Sequence, residues 1–172
     1  TVPHALHALP DVAHAIRLMA ALPTQTVRSE EQLEWQQFST PADIAALAVL
    51  LANAQEGDVV LEPSAGNGLL VAQLRQDVTL QLNELDPARR ARLAHSFPGA
   101  PITGYDGAAL TSLMASSERP TLVLMNPPFS VMVNVEGRMA DAAFRHVASA
   151  LARLAPGGRL VTITGASFAA DN

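Results

Sequence analysis

Asp58-Val-Val-Leu-Glu-Pro-Ser-Ala-Gly-Asn-Gly68 is the stretch on which the fold turns. Residues 58–62 form a short apolar run that stops at a turn carrying Gly66 and Gly68, and residues 69–75 then read as helix. A short apolar run bounded by turn residues is the signature of a buried strand. The glycines let the backbone come close to a ligand, and the N-terminus of the following helix favours an anionic group. Alone, the turn is as well explained as a tight strand-to-helix connection. It lacks the Gly-x-Gly-x-x-Gly spacing, and no Lys-Ser/Thr follows, which disfavours the dinucleotide fingerprint and the phosphate loop.

Outward from that unit the chain alternates helix and strand. Upstream, Thr40 is placed to cap a helix with Pro41 at its first position and Ala45, Leu47, Ala48 and Leu51 on its apolar side. Residues 24–40 are a polar connector, and residues 4–21 a helix with Leu6, Leu9, Ala13, Ile16 and Met19 near helical spacing. Downstream, strands are expected at residues 78–83, 101–104, 121–125 and 159–164. Helices are expected from Asp86-Pro87 to about Ser96, over residues 108–115, and over residues 138–154. The last carries Ala143, Phe144, Val147, Ala150, Leu151 and Leu154 on one face, and residues 134–139, polar and Gly-containing, are expected to form a mobile loop over the target site. The alternation predicts an α/β fold, a Rossmann-like doubly wound parallel sheet whose strand C-termini share one rim, where ligands bind.

Composition bounds the function. The chain has 172 residues, 49% of them hydrophobic and 16% charged, enough for one domain with a packed core and against disorder. It has no cysteine, which excludes disulfides and thiolate metal sites and fits a cytoplasmic setting. His4, His7 and His14 could share a helix side, but no further ligand lies near, so no metal is expected. No apolar stretch has the length of a membrane span, and residues 1–22 do not read as a signal peptide. The formal charge of −5 suits a cationic ligand and means that this piece alone should hold nucleic acid weakly. Arg89, Arg90 and Arg92 read as a solvated helix face rather than a phosphate track.

Three further groups follow strand ends. Glu84, in Asn83-Glu-Leu-Asp-Pro87, lies where a carboxylate accepts both hydroxyls of a ribose, or is a surface acid near a helix that Asp86 already caps. Asp106, in Tyr105-Asp-Gly107, can accept from the amino group of an adenine ring, or cap a helix. Asn126-Pro-Pro-Phe129 is the sharpest. Consecutive prolines continue neither helix nor sheet. They fix a stiff turn that presents the Asn126 side chain and the Pro127 carbonyl together, two acceptors for one NH2 group, with Phe129 as a flat face for stacking a base.

The ordered set Gln37-Phe-Ser-Thr-Pro41, Glu62-Pro-Ser-Ala-Gly-Asn-Gly68, Asn83-Glu-Leu-Asp-Pro87, Tyr105-Asp-Gly107 and Asn126-Pro-Pro-Phe129 resembles the S-adenosylmethionine-dependent amino-methyltransferases. Its order resembles the gamma arrangement of adenine-N6 DNA methyltransferases. Residues 36–165 also look like the methyltransferase domain at the head of large plasmid and phage proteins that carry a strawberry-notch-type helicase. The resemblance implies the class I methyltransferase fold and S-adenosyl-L-methionine as cofactor. It divides the chain into an N-terminal helix and connector, residues 1–36, and a methyltransferase domain, residues 37–172. It places Phe38, Ser39 and Thr40 near the methionine carboxylate, and Glu62, Ala65, Gly66 and Gly68 along the methionine and ribose. Glu84 would hold the ribose hydroxyls, Leu85 pack on the adenine, and Asp106 read its amine. Asn126, Pro127, Pro128 and Phe129 would form the catalytic loop that holds the target.

The partner so implied is nucleic acid, DNA before RNA, with a helicase domain in the same parent chain. Glu62 stands where the family usually has Asp. The chain also ends soon after the fifth strand, so the C-terminal β-hairpin of the full fold is expected to be lacking. Methylation of an RNA base, a cytosine amine or a protein glutamine amide, or a non-catalytic cofactor-binding module of a larger helicase protein, remain alternatives at this stage.

Overall fold

The computed structural model describes residues 12–21, 40–114, 118–128, 132–135 and 138–164. Helix α1 (Val12–Ala21) packs against α2 (Ala42–Ala52). The sheet is built from β1 (Val59–Glu62), β2 (Thr79–Asn83), β3 (Ile102–Thr103), β4 (Leu122–Met125) and, after an inserted hairpin of β5 (Met132–Val135) and β6 (Arg138–Asp141), from β7 (Arg159–Thr162). Between them run α3 (Pro87–Ser96), α4 (Leu110–Leu113) and α5 (Ala142–Arg153). The strand order is β3-β2-β1-β4-β7, and every pairing in this sheet is parallel.

The burial of each strand follows its place in that order. β1 and β4 have sheet neighbours on both sides and helices on both faces, so all of Val59–Glu62 and Leu122–Met125 is buried. A parallel strand so enclosed cannot alternate polar with apolar, hence the continuous Val-Val-Leu and Leu-Val-Leu-Met runs. Successive side chains still point to opposite faces. Val60, Leu122 and Leu124 pack with Val49 and Ala52 of α2 and Leu93 of α3. Leu61, Val123 and Met125 pack on the other face with Leu110 of α4 and Ala150 of α5. The expected doubly wound arrangement is therefore present.

At the rim opposite the cleft, one carboxylate ties the sheet together. Asp58 accepts from the Gln55 amide, the Thr121 hydroxyl and the Arg159 guanidinium, joining the entries to β1, β4 and β7.

Several local expectations change. Residues 69–75 do not form an α-helix; a single 3-10 turn, Val71–Gln73, follows the glycine loop, and Leu74 is already extended. The apolar residues there, Leu70 and Val71, are buried as turn residues instead. Helix α5 begins at Ala142, because the preceding four residues pair antiparallel with β5. That pairing also takes in residues 134, 135, 138 and 139 of the stretch expected to be a mobile loop; residues 136–137 lie outside the described residues. In place of one helix over residues 108–115, the described residues there form a 3-10 turn, Gly107–Ala109, and the short α4; residue 115 lies outside them.

The buried faces of two helices are rotated from expectation. On α2 the buried residues are Ala45, Ala46, Ala48, Val49 and Ala52, while Leu47 and Leu51 are exposed. Small side chains let the helix approach the sheet closely and push the leucines outward. On α5, Phe144 and Leu151 are exposed, and Ala143 and Ala150 are buried. Thr40 does not cap α2; the helix begins after Pro41 with no side-chain cap, and the Thr40 hydroxyl is engaged elsewhere. Asp86 does cap α3 as expected, accepting from the Arg89 amide at 2.9 Å ahead of Pro87.

Candidate active site

The order β3-β2-β1-β4-β7 reverses direction beside β1, and crevices open at such switch points. Here the loops after β1, β2, β3 and β4 enclose a cleft of about 210 Å³. Thr40, Glu62, Ala65, Gly66, Glu84, Leu85, Asp106, Asn126, Pro127 and Pro128 all line it. Gly68 stands just behind the lining. Phe38, Ser39 and Phe129, and with them His4 and His7, lie outside the described residues.

The glycine turn is set by two left-handed residues, Gly66 at φ 56° and Gly68 at φ 76°. A Cβ on Gly68 would collide with the Phe97 ring and with Leu93, so the loop packs against α3 only because glycine is there. The loop is bonded to β2: the Ala65 amide donates to the Asn83 carbonyl at 2.8 Å, and the Gly66 amide donates to Glu84 Oε2 at 2.7 Å. The other Glu84 oxygen accepts from the Asp86 amide at 2.9 Å. Glu84 is thus fixed across the cleft with one lone pair left on each oxygen, the arrangement a vicinal diol needs.

Glu62 forms part of the floor. It is 2% exposed, and its Oε2 has no hydrogen-bond partner among the described residues. Burial pushes its carboxyl well above the usual carboxylate range; a bond from the Val71 amide pulls it back, and the nearby Glu84 charge adds to the rise. A buried carboxyl with an open oxygen fits a cationic group lying in the cleft.

Asp106 takes both roles considered for it. It caps the turn at Gly107–Ala109 by accepting from the Ala108 amide at 2.9 Å, and it stands at the cleft edge. Leu85, half-exposed, also lines the cleft. At the far side, Asn126 leaves β4 with its Nδ2 donating to the Thr40 hydroxyl at 2.9 Å and its Oδ1 buried without a partner among the described residues. The glycine turn, the Glu84 carboxylate and the Asn-Pro-Pro turn therefore line one cavity.

Two residues escaped the sequence reading. Asn83, the buried last residue of β2, donates to the Pro63 and Tyr105 carbonyls and accepts from the Thr103 hydroxyl and the Tyr105 amide. It staples the loops after β1 and β3, and a polar residue ending an apolar strand just before Glu84 was the available signal. His146 of α5 enters the cleft, 4.0 Å from Asp106 and packed on Gly107, where a Cβ would lie 2.7 Å from its Nδ1. Burial lowers its pKa; Asp106 opposes that and Arg145 reinforces it. Its place three residues after Ala143 and four before Ala150 put it on the inward face of α5. Of the arginines read as a solvated helix face, Arg92 is exposed, Arg89 is partly buried and lines the cleft above Gly66, and Arg90 donates to the Glu84 and Leu85 carbonyls.

Among the described residues no three His, Cys, Asp or Glu converge as metal ligands, and no helix is long and apolar enough to cross a membrane.

No protein-family model matches the chain, and no curated protein does so. Solved structures do. The chain resembles a candidate RNA methyltransferase from Pyrococcus horikoshii, at 21% identity and a TM-score of 0.62, over 90% of this chain and 74% of that one. It resembles the methyltransferase subunit of a type I restriction-modification system from Streptococcus thermophilus, at 20% identity and a TM-score of 0.62, over 76% of this chain and 34% of that one. TrmN from Thermus thermophilus gives 22% identity and a TM-score of 0.58, over 81% of this chain and 44% of that one.

The fold is that of a class I methyltransferase. Its strand order is the one observed here, with the cleft at the reversal beside β1. The chain spans less than half of the Streptococcus and Thermus proteins, and at such identities a shared fold does not carry a shared reaction.

Proposed function

We propose that this chain binds S-adenosylmethionine in the cleft and methylates an exocyclic amino group, adenine N6 in DNA before other targets. One observation carries the reading. Asn126 Oδ1 is buried in the cleft with no partner among the described residues. An unpaired buried acceptor costs roughly 1–3 kcal/mol, which a bound NH2 group would recover.

The rest of the cleft fits the donor. Glu84 has lone pairs for the ribose hydroxyls, the Asp106 carboxylate at the cleft edge can accept from an adenine amine, and Glu62 Oε2, without a partner among the described residues, suits the ammonium group. Gly66 and Gly68 let the backbone pass close by. The cofactor supplies a methyl group activated by a sulfonium. The protein's own work is positional. An aromatic amine is a poor nucleophile, because its lone pair is delocalised into the ring. Asn126 Oδ1 and the Pro127 carbonyl, both accepting from its hydrogens, favour a pyramidal nitrogen and stabilise the positive charge that grows on it. Holding that nitrogen where it would meet the methyl in line would supply much of the acceleration; the cofactor would leave as a neutral sulfide and the methylated amine would give its extra proton to solvent, so no strong base is needed. In a duplex the base must first leave the stack, and Phe129 is suited to receive it.

DNA is favoured by the order of the motifs and by the likeness to a restriction-modification subunit. The likeness to a candidate RNA methyltransferase makes RNA the second substrate to assay. The test is Asn126→Ala, with donor binding measured by calorimetry and transfer measured with tritiated S-adenosylmethionine on unmethylated DNA, on RNA and on a glutamine peptide. Binding should survive and transfer should fall below detection. Turnover equal to the parent protein's would end the proposal.

A further inference from the structure

His146 lines the cleft but belongs to none of the motifs at its rim. It comes from α5, three residues after the buried Ala143 and four before the buried Ala150. Its ring lies against Gly107, where a Cβ would stand 2.7 Å from Nδ1 and 2.9 Å from Cε1, so the loop after β3 leaves room for the imidazole only as glycine. Nδ1 is enclosed there, with no hydrogen-bond partner among the described residues. Nε2 is the nitrogen toward Asp106, 4.0 Å from its Oδ1.

At that distance the two groups stand side by side without a hydrogen bond between them. Burial lowers the His146 pKa, so near neutral pH the ring is uncharged and carries a single hydrogen. The Asp106 carboxylate favours that hydrogen on Nε2, the nitrogen nearer to its charge. A carboxylate can only accept. The cleft edge therefore offers an acceptor next to a donor. Adenine offers the complement: an amine that donates, flanked by ring nitrogens that accept.

We propose that His146 is a second specificity residue for the base of the methyl donor: its Nε2–H donates to a ring nitrogen next to the amine from which Asp106 accepts. The inference rests on the reading of the cleft as an S-adenosylmethionine site. It differs from a packing role in one respect. A residue that only fills space against Gly107 alters the affinity for every donor alike. A hydrogen bond to one ring nitrogen is lost when that nitrogen is replaced by C–H.

The test is calorimetry with S-adenosylmethionine and with its 1-deaza and 7-deaza analogues, each of which replaces one of the two flanking nitrogens by C–H. At least one analogue should bind the parent protein about tenfold less tightly than S-adenosylmethionine, the worth of one hydrogen bond of ordinary strength. His146→Phe keeps a flat ring and removes the N–H; there the difference between the donors should disappear. His146→Gln returns an N–H near the place of Nε2 and should restore most of it. Equal affinity of the parent for all three donors overturns the inference, and that comparison requires no variant to fold. So does a difference that persists undiminished in His146→Phe, which would give the ring nitrogen another partner. A parent that binds none of the donors sinks the cofactor reading itself, whereas one that binds all three equally sinks the role of His146 alone.

Discussion

At the floor of the cleft, Glu62 holds its proton well above the usual range, because burial disfavours the charge and the Glu84 carboxylate lies near. Its folded pKa thus exceeds the ordinary value of 4.5. A group of this kind stabilises the fold fully below its unfolded pKa and loses that contribution as pH rises through the folded one. Stability of the parent protein should therefore decline with rising pH above about 4.5, while Glu62→Gln, which cannot ionise, should decline less. Urea unfolding of both proteins across the range checks this; parallel curves would show that Glu62 is not the source. The sequence made Glu62 a cleft residue through its place before the glycine turn. It did not disclose the protonation, which depends on the depth of the floor and on Glu84, twenty-two positions along the chain. Asn83 and His146 were missed for the same reason: each looked like part of a strand or helix, and only the neighbouring loops show what it holds.

Turns and helix starts were more legible than helix extents. Asp86-Pro87 opened α3 as read, because a cap and an N1 proline act within one turn of chain. Residues 69–75 failed as a helix because tertiary packing overrode local preference. Their apolar side chains are buried by the loop's own path and not by a helical face. That path depends on Gly68. Its φ of 76° strains any other residue, and a Cβ would strike Phe97 and Leu93. Gly68→Ala should cost more than about 1 kcal/mol, read from denaturant unfolding, and should weaken donor binding as the loop moves off α3. A variant as stable as the parent would mean that the loop gives way freely. Residues 138–141 show the converse case. Their helical composition is outweighed by antiparallel pairing with β5, a contact that periodicity cannot reveal.

Across the whole molecule, the sheet separates two apolar half-cores that share no residue. One contains Leu93 of α3, the other Leu110 of α4. Leu93→Val and Leu110→Val should each cost about 1 kcal/mol. Their effects should add within about 0.5 kcal/mol, because the sites have no common partner. Strong coupling in the double mutant would show that the sheet transmits strain between its faces. The sequence alone determined the alternation of elements, the parallel sheet and the set of turns at its rim, because hydrophobic runs, glycines and prolines act over a few residues. Tertiary structure alone decided which of those turns meet, which face of α2 and α5 is buried, and that the Asn126 carboxamide meets the Thr40 hydroxyl. Those outcomes depend on contacts between residues far apart in the chain, such as Thr40 with Asn126, and no local pattern encodes them.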